Sequence, residues 1–146
     1  MNYRKLFIIT LFSCIIFTGC AESKDTLSIS RFNNRDILNT ESDLINIITG
    51  DNKYSLVFTV TNNTCNDINY GTKWYLEMLD EENWYTIEFK LQDSYGWLDV
   101  LLVFYDGEQK ELNIPLYGYY ETPLPSGEYR LVQPVDGKLF SLNFSL

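Results

Sequence analysis

From residue 54 onward, apolar and polar side chains alternate with a period of two. Apolar residues occupy every second position from Tyr54 to Val60, and small polar residues such as Thr59 lie between them. The same alternation returns at the end of the chain, from Phe140 to Leu146. Successive side chains of a β-strand point to opposite faces of a sheet, so this spacing predicts strands that are buried on one face.

Five further segments between these two are rich in aromatic and β-branched residues and are bounded by turn residues. They are Lys73–Leu79, Trp84–Phe89, Leu98–Tyr105, Glu111–Leu116 and Glu128–Gln133. The first two flank a polar loop of four residues, Asp80–Asn83, and are predicted to form a hairpin. Pro115 predicts a sheet edge or a strand terminus, because proline cannot donate a backbone hydrogen bond. About seven or eight short strands without a long helix predict an all-β fold, an immunoglobulin-like antiparallel β-sandwich.

The N-terminus carries a targeting signal. Arg4 and Lys5 precede a short apolar segment, Leu6–Phe17, and small residues follow it. A membrane-spanning helix needs about 20 apolar residues, so this segment is too short to span and is typical of a secretory signal peptide.

The signal ends in Phe17-Thr18-Gly19-Cys20, which resembles the lipobox of bacterial lipoproteins. The resemblance implies cleavage between Gly19 and Cys20 and a diacylglycerol on the Cys20 thiol. It places the protein in the bacterial cell envelope, lipid-anchored to the extracytoplasmic face of a membrane. The alternative is an ordinary secretory signal in which Cys20 occurs by chance.

Residues 20–53 are rich in Ser, Asn, Asp and Thr and differ from the rest of the chain. We expect a lipidated N-terminus and a polar tether here, with one candidate edge strand near Thr26–Arg31. The segment Asp36–Ile48 is compatible with a helical turn or with another strand. The predicted organisation is a signal peptide at 1–19, the tether at 20–53 and the β-sandwich domain at 54–146.

The stretch from Tyr54 to Leu146 resembles a bacterial Ig-like domain of surface lipoproteins and membrane proteins, chiefly of Firmicutes. The matching pieces occur in family order and are Phe58–Thr64, Tyr70-Gly71, Asn83–Ile87 and Leu124–Val132, followed by a last aromatic strand. The resemblance implies the fold and the setting, but no reaction and no catalytic residue. Within it, the run Gly127–Leu131 looks like a tyrosine corner, in which the Tyr129 hydroxyl bonds to the backbone upstream and stabilises the fold.

Composition excludes several function classes. The chain has 11 Lys and Arg residues against 20 Asp and Glu, a net charge of −9, which argues against binding to nucleic acid. It contains no histidine, which removes histidine-based catalysis and the common zinc sites. Cys65 is left without a partner once Cys14 leaves with the signal and Cys20 is lipidated, so we expect no disulfide. We predict no cofactor and no metal site.

Two groups of aromatic residues near loops are the candidate ligand-binding residues: Tyr95, Trp97, Tyr117, Tyr119 and Tyr120. Aromatic rings are enriched in recognition surfaces because they bury a large area at low entropic cost. The alternative is that these rings only cover the ends of the sandwich. Trp74 and Trp84 lie in predicted strands and are expected in the core.

These observations favour a membrane-anchored, non-catalytic domain that recognises an unknown protein or envelope component. Alternatives are a module that binds envelope glycan and an inhibitor that acts through its end-loop aromatics. A small hydrolase that uses paired carboxylates is a distant alternative, because the acidic residues occur in runs at turns such as Asp80–Glu82.

Overall fold

The computed structural model describes residues 27–50, 53–90 and 100–146, and these ranges contain ten β-strands and no helix. The strands are β1 (Ser28–Ile29), β2 (Thr40–Gly50), β3 (Lys53–Asn62), β4 (Ile68–Tyr70), β5 (Tyr75–Asp80), β6 (Asn83–Thr86), β7 (Leu102–Phe104), β8 (Gln109–Pro115), β9 (Glu128–Val135) and β10 (Lys138–Ser145). No helix in these ranges is long and apolar enough to cross a membrane.

The strands form three antiparallel sheets. One has five strands in the order β1-β6-β5-β9-β10, the second has the order β2-β3-β8, and β4 pairs with β7. The predicted all-β, immunoglobulin-like sandwich is therefore confirmed. Pro115 is the last residue of β8, which is an edge strand of the three-stranded sheet in the described residues. This position agrees with the prediction, because proline cannot donate a backbone hydrogen bond.

The core lies between the inner faces of the two larger sheets. Leu56, Phe58 and Val60 of β3 are fully buried, and they meet residues such as Leu142 and Phe144 of β10. The rings of Phe58 and Phe144 pack edge to face, with centroids 6.3 Å apart. Full burial of one such side chain contributes about 1.5–3 kcal/mol, so the apolar positions of β3 and β10 contribute substantially to stability.

The predicted hairpin forms with a shorter loop than expected. Asp80 pairs with Asn83, so that only Glu81 and Glu82 form the turn between β5 and β6. Two-residue hairpin turns need positive φ angles, which Gly and Asn adopt most easily. Here Glu81 takes a φ of 55°. The predicted four-residue loop, Asp80–Asn83, is therefore shorter in the structure, because Asp80 and Asn83 belong to the strands.

Within the described residues, the first strand is β1 at Ser28, well before Tyr54. β1 forms the candidate edge strand predicted near Thr26–Arg31, and it pairs with β6 at one edge of the five-stranded sheet. Of the two alternatives for Asp36–Ile48, the structure has a strand, β2, which pairs with β3 along its length. Much of the predicted tether is thus part of the sandwich.

Residues 28–38, which we call the N-terminal strap, cross the outer face of the five-stranded sheet from edge to edge. β1 lies at the β6 edge, and Ile37 pairs in parallel with Leu139 of β10 at the other edge. In between, Phe32 packs on Val132 and Leu139, which face away from the main core. The strap therefore gives this sheet a second, smaller core.

Candidate functional site

A pocket of about 170 Å³ opens where β8 ends and the chain approaches β5. Its walls come from both larger sheets and from the loop that follows β8. The lining residues are Thr72, Trp74, Asn113, Ile114, Pro115, Leu116, Tyr119, Tyr120 and Leu131. Three aromatic rings and four aliphatic or proline side chains surround the pocket, and none of these nine residues is charged. Such a lining suits a neutral ligand with an apolar face.

Tyr120 forms a fixed wall of the pocket rather than an exposed recognition residue. Its side chain is only 2% exposed, and its hydroxyl accepts a hydrogen bond from the Leu76 backbone N–H at 3.0 Å. Its ring stacks on Phe89, with centroids 4.8 Å apart. Burial raises the pKa of the Tyr120 hydroxyl well above its ordinary value. Tyr120 therefore lines the pocket from the interior rather than from an exposed loop surface, and its role in ligand binding stays a prediction.

Tyr119 and Tyr117 differ in their relation to the pocket. Tyr119 is half-buried, lines the pocket and packs edge to face on Phe89, with centroids 6.3 Å apart. Its backbone carbonyl accepts a hydrogen bond from the Lys90 N–H at 2.9 Å. Tyr117 is 47% exposed and is not among the lining residues. Among the candidates, Tyr119 and Tyr120 come together at the pocket and Tyr117 does not.

Four residues of the sequence-based predictions lie outside the described residues. They are Tyr95 and Trp97 of the other aromatic group, and Gly19 and Cys20 of the signal. Their roles stay predictions.

The two strand tryptophans occupy different places. Trp74 is half-buried, packs against the core with its ring 5.5 Å from that of Phe140, and also lines the pocket. Trp84 lies on the outer face of the five-stranded sheet, where the Arg130 guanidinium stacks 4.3 Å from the ring centroid. The expectation that Trp84 belongs to the core between the sheets is wrong. Its half-buried environment comes from Arg130 and from the strap.

A buried ion pair beneath the strap was not anticipated from the sequence. Glu77 of β5 is fully buried and Arg130 of β9 is 6% exposed. The Arg130 Nε donates to Glu77 Oε2 at 2.7 Å, and the Ser30 hydroxyl of the strap donates to Glu77 Oε1. The sequence does contain a signal, because Glu77 and Arg130 are charged residues inside two apolar strands. Alternation alone, however, predicts that both side chains face solvent.

Tyr129 is fully buried at the start of β9. Its hydroxyl donates a hydrogen bond to the backbone carbonyl of Pro125, four residues upstream, at 2.5 Å. Its ring stacks on Phe144, with centroids 5.3 Å apart. Burial, and to a lesser degree the nearby Tyr54, raise the pKa of Tyr129 to about 12. This geometry is that of a tyrosine corner, and the size of its contribution to stability stays a prediction.

We expect Tyr129→Phe to lower the free energy of unfolding by about 1 kcal/mol at pH 7, because the Pro125 carbonyl loses its donor. The raised pKa means that folding favours the neutral hydroxyl. The stabilisation from the neutral Tyr129 hydroxyl is complete below pH 10 and is lost as the pH rises toward 12. The difference in unfolding free energy between the wild type and Tyr129→Phe should therefore shrink over this range. Urea unfolding at several pH values measures both effects. The exposed Tyr117→Phe is the matched control, and an unchanged midpoint for Tyr129→Phe would contradict the assignment.

The remaining reactive side chains of the described residues are dispersed. Cys65 is exposed, is not in a disulfide, and has a φ of 59° in the turn after β3. In the described ranges, three or more potential metal-binding side chains do not come together at any point.

A protein-family model matches most of the β-sandwich. The family model described as bacterial Ig-like domain matches residues 42–144, which begins within β2 and ends within β10. A search of curated proteins found no match. The matched range includes almost all of β2, in agreement with the structure's earlier start of the domain.

Proposed function

Because the chain belongs to the bacterial Ig-like domain family, we propose that it is a lipid-anchored envelope protein whose domain binds an envelope component without catalysis. The proposal that the domain binds an envelope component rests on the aromatic pocket. Its walls are aromatic, aliphatic and neutral polar side chains, which suit the binding of a ring rather than the transfer of a proton.

The short sequence between Cys20 and the first strand limits how far the domain could lie from a membrane that holds a lipid on Cys20. β1 begins at Ser28, and eight residues of fully extended chain span at most about 28 Å. A lipid on Cys20 would therefore keep the sandwich close to the membrane surface. Two acyl chains hold stably where one is marginal, since each buried methylene contributes about 0.8 kcal/mol.

The charge of the protein agrees with such a position. The net charge of the full chain is −9, and removal of the signal with Arg4 and Lys5 makes it −11. This charge repels the domain from anionic lipid headgroups, so that contact with the membrane is left to the anchor. The pocket would then remain accessible to envelope components outside the membrane and would not be covered by lipid.

The anchor is tested by fractionation of bacterial cells that produce the full chain. We expect the wild-type protein in the membrane fraction, extracted by detergent but not by high salt, and Cys20→Ser without lipid. Cys14→Ser is the matched control, because it changes a cysteine of the same signal segment that is not the lipidation site. It should behave as the wild type. Equal lipid labelling of Cys20→Ser and the wild type would overturn the proposal.

A further inference from the structure

We propose that the pocket binds a single neutral sugar ring of an envelope glycan. This inference rests on the proposed function and specifies its ligand. It is carried by the size of the pocket, by its rings and by the way in which those rings are held.

The size of the pocket fits one six-membered ring. Its volume is about 170 Å³, and an apolar protein cavity of about 150 Å³ is known to hold one benzene molecule. A disaccharide would have to project out of the opening. The pocket therefore selects a terminal or accessible ring rather than a long stretch of polymer.

The lining has the two kinds of surface that a sugar presents. A pyranose has an apolar C–H face, which packs on aromatic rings such as Trp74 and Tyr119, and a perimeter of hydroxyl groups. The polar groups of the lining are the Thr72 hydroxyl, the Trp74 N–H, the hydroxyls of Tyr119 and Tyr120, and the Asn113 amide. The Asn113 Oδ1 accepts a hydrogen bond from the Ser55 hydroxyl at 2.6 Å on the exposed face of the three-stranded sheet, so this side chain is directed away from the core.

The aromatic wall is held in place before any ligand arrives. The Tyr120 hydroxyl is bonded to the Leu76 N–H, and Phe89 packs against both Tyr119 and Tyr120. The backbone N–H groups of both tyrosines donate to the Leu116 carbonyl at 3.0 Å, which closes the turn that carries them. A ligand therefore does not have to order these rings, which lowers the entropic cost of binding.

Charge narrows the ligand class further. None of the nine lining residues is charged, and the chain as a whole carries a net charge of −9. A sugar with a carboxylate or phosphate would be repelled by the surrounding field and would find no cation among the nine described lining residues. The site therefore favours a neutral sugar over an acidic one.

The test is calorimetric titration of the full lipidated chain in a polyoxyethylene detergent, which has no sugar headgroup. The probes are glucose, galactose and N-acetylglucosamine, with glucuronate as the acidic comparison and p-cresol as a stand-in for an aromatic side chain of a protein partner. We expect at least one neutral sugar to bind with a dissociation constant of roughly 1 mM, as befits one small ring. Glucuronate should bind more weakly.

Two variants locate the site. Tyr119→Leu removes a lining ring but keeps apolar volume, and it should weaken sugar binding about tenfold. Tyr117→Leu changes an exposed ring of the same loop outside the pocket and should have the affinity of the wild type. If Tyr119→Leu does not fold, Ile114→Phe narrows the pocket from β8 without removing a ring and should also weaken sugar binding.

The proposal is overturned if no neutral sugar binds the folded protein, if p-cresol binds and the sugars do not, or if the pocket variants bind like the wild type. Preferred binding of p-cresol would indicate that the pocket receives a side chain of a partner protein. None of these outcomes changes the lipid labelling of Cys20, so failure of the sugar site and failure of the anchor are read separately.

Discussion

Replacement of Glu77 by alanine is expected to lower the free energy of unfolding by about 3–5 kcal/mol. The substitution leaves the Arg130 guanidinium, 94% buried, without its carboxylate. It also removes the acceptor of the Ser30 hydroxyl, which ties the strap to β5. An uncompensated charge away from water costs far more than the loss of an exposed pair. Urea unfolding followed by tryptophan fluorescence measures the difference.

The exposed ion pair between Lys90 and Glu121 provides the control. Its Nζ and Oε2 atoms are 3.1 Å apart, but the two side chains are 44% and 77% exposed. Glu121→Ala should therefore cost no more than about 1 kcal/mol. Equal effects of Glu77→Ala and Glu121→Ala would show that Glu77 and Arg130 do not form a buried pair in solution.

The second large effect is expected for Phe32→Ala, at about 3 kcal/mol. Phe32 is 7% exposed and packs with Val132 and Leu139 on the outer face of the sheet. Its ring lies edge to face on Tyr75 at 5.2 Å, and the Arg31 guanidinium lies 4.7 Å from the Phe32 ring centroid. Removal of the ring leaves a cavity between the strap and the sheet, which the fixed strands close only in part.

Ile37→Ala is the matched control for Phe32→Ala within the strap. Ile37 is 56% exposed, although its backbone pairs with Leu139. Its truncation should therefore change stability by less than about 1 kcal/mol. If Phe32→Ala had an effect as small as Ile37→Ala, residues 30–35 would be a tether, as the sequence first indicated, and not part of the domain.

The strap also connects the proposed anchor to the stability of the domain. β1 opens the strap, which then passes over the ion pair of Glu77 and Arg130 and continues into β2. If Cys20 is lipidated as proposed, a pull on that end would act first on β1, which has two residues and whose described partner is β6. The larger part of the strap is held by Phe32 and by the Asn33 side chain, which bonds to the backbone N–H and carbonyl of Trp84.

β3 was predictable because one of its faces is buried and the other is not. Its alternation of apolar and polar side chains is the direct consequence of a sheet that faces the core on one side. β1 has both residues exposed, and it pairs only through its backbone with β6 in the described part of the chain. The strap gives no such signal. Between β1 and Ile37 the strap contacts the outer face of the sheet through single residues, and Phe32 is the only large apolar residue between Ser30 and Asp36.

The sequence predicted that aromatic residues near loops are candidates for binding, but it did not predict how their rings are arranged around the pocket. Tyr119 and Tyr120 are neighbours in the sequence, and the turn that places one at the pocket and the other inside depends on hydrogen bonds to Leu116. Trp74 was assigned to the core and also lines the pocket, because the end of a sandwich is both core and surface. The pairing of Glu77 with Arg130 depends on the contact of β5 with β9, which local sequence does not encode.

The proposed lipid on Cys20 would hold this domain at a membrane surface. Intact-mass spectrometry of the protein extracted from the membranes of producing bacteria tests this proposal most directly. We expect a chain that begins at Cys20 and carries the mass of a diacylglycerol on that residue. A chain that begins elsewhere, or an unmodified Cys20, would contradict it.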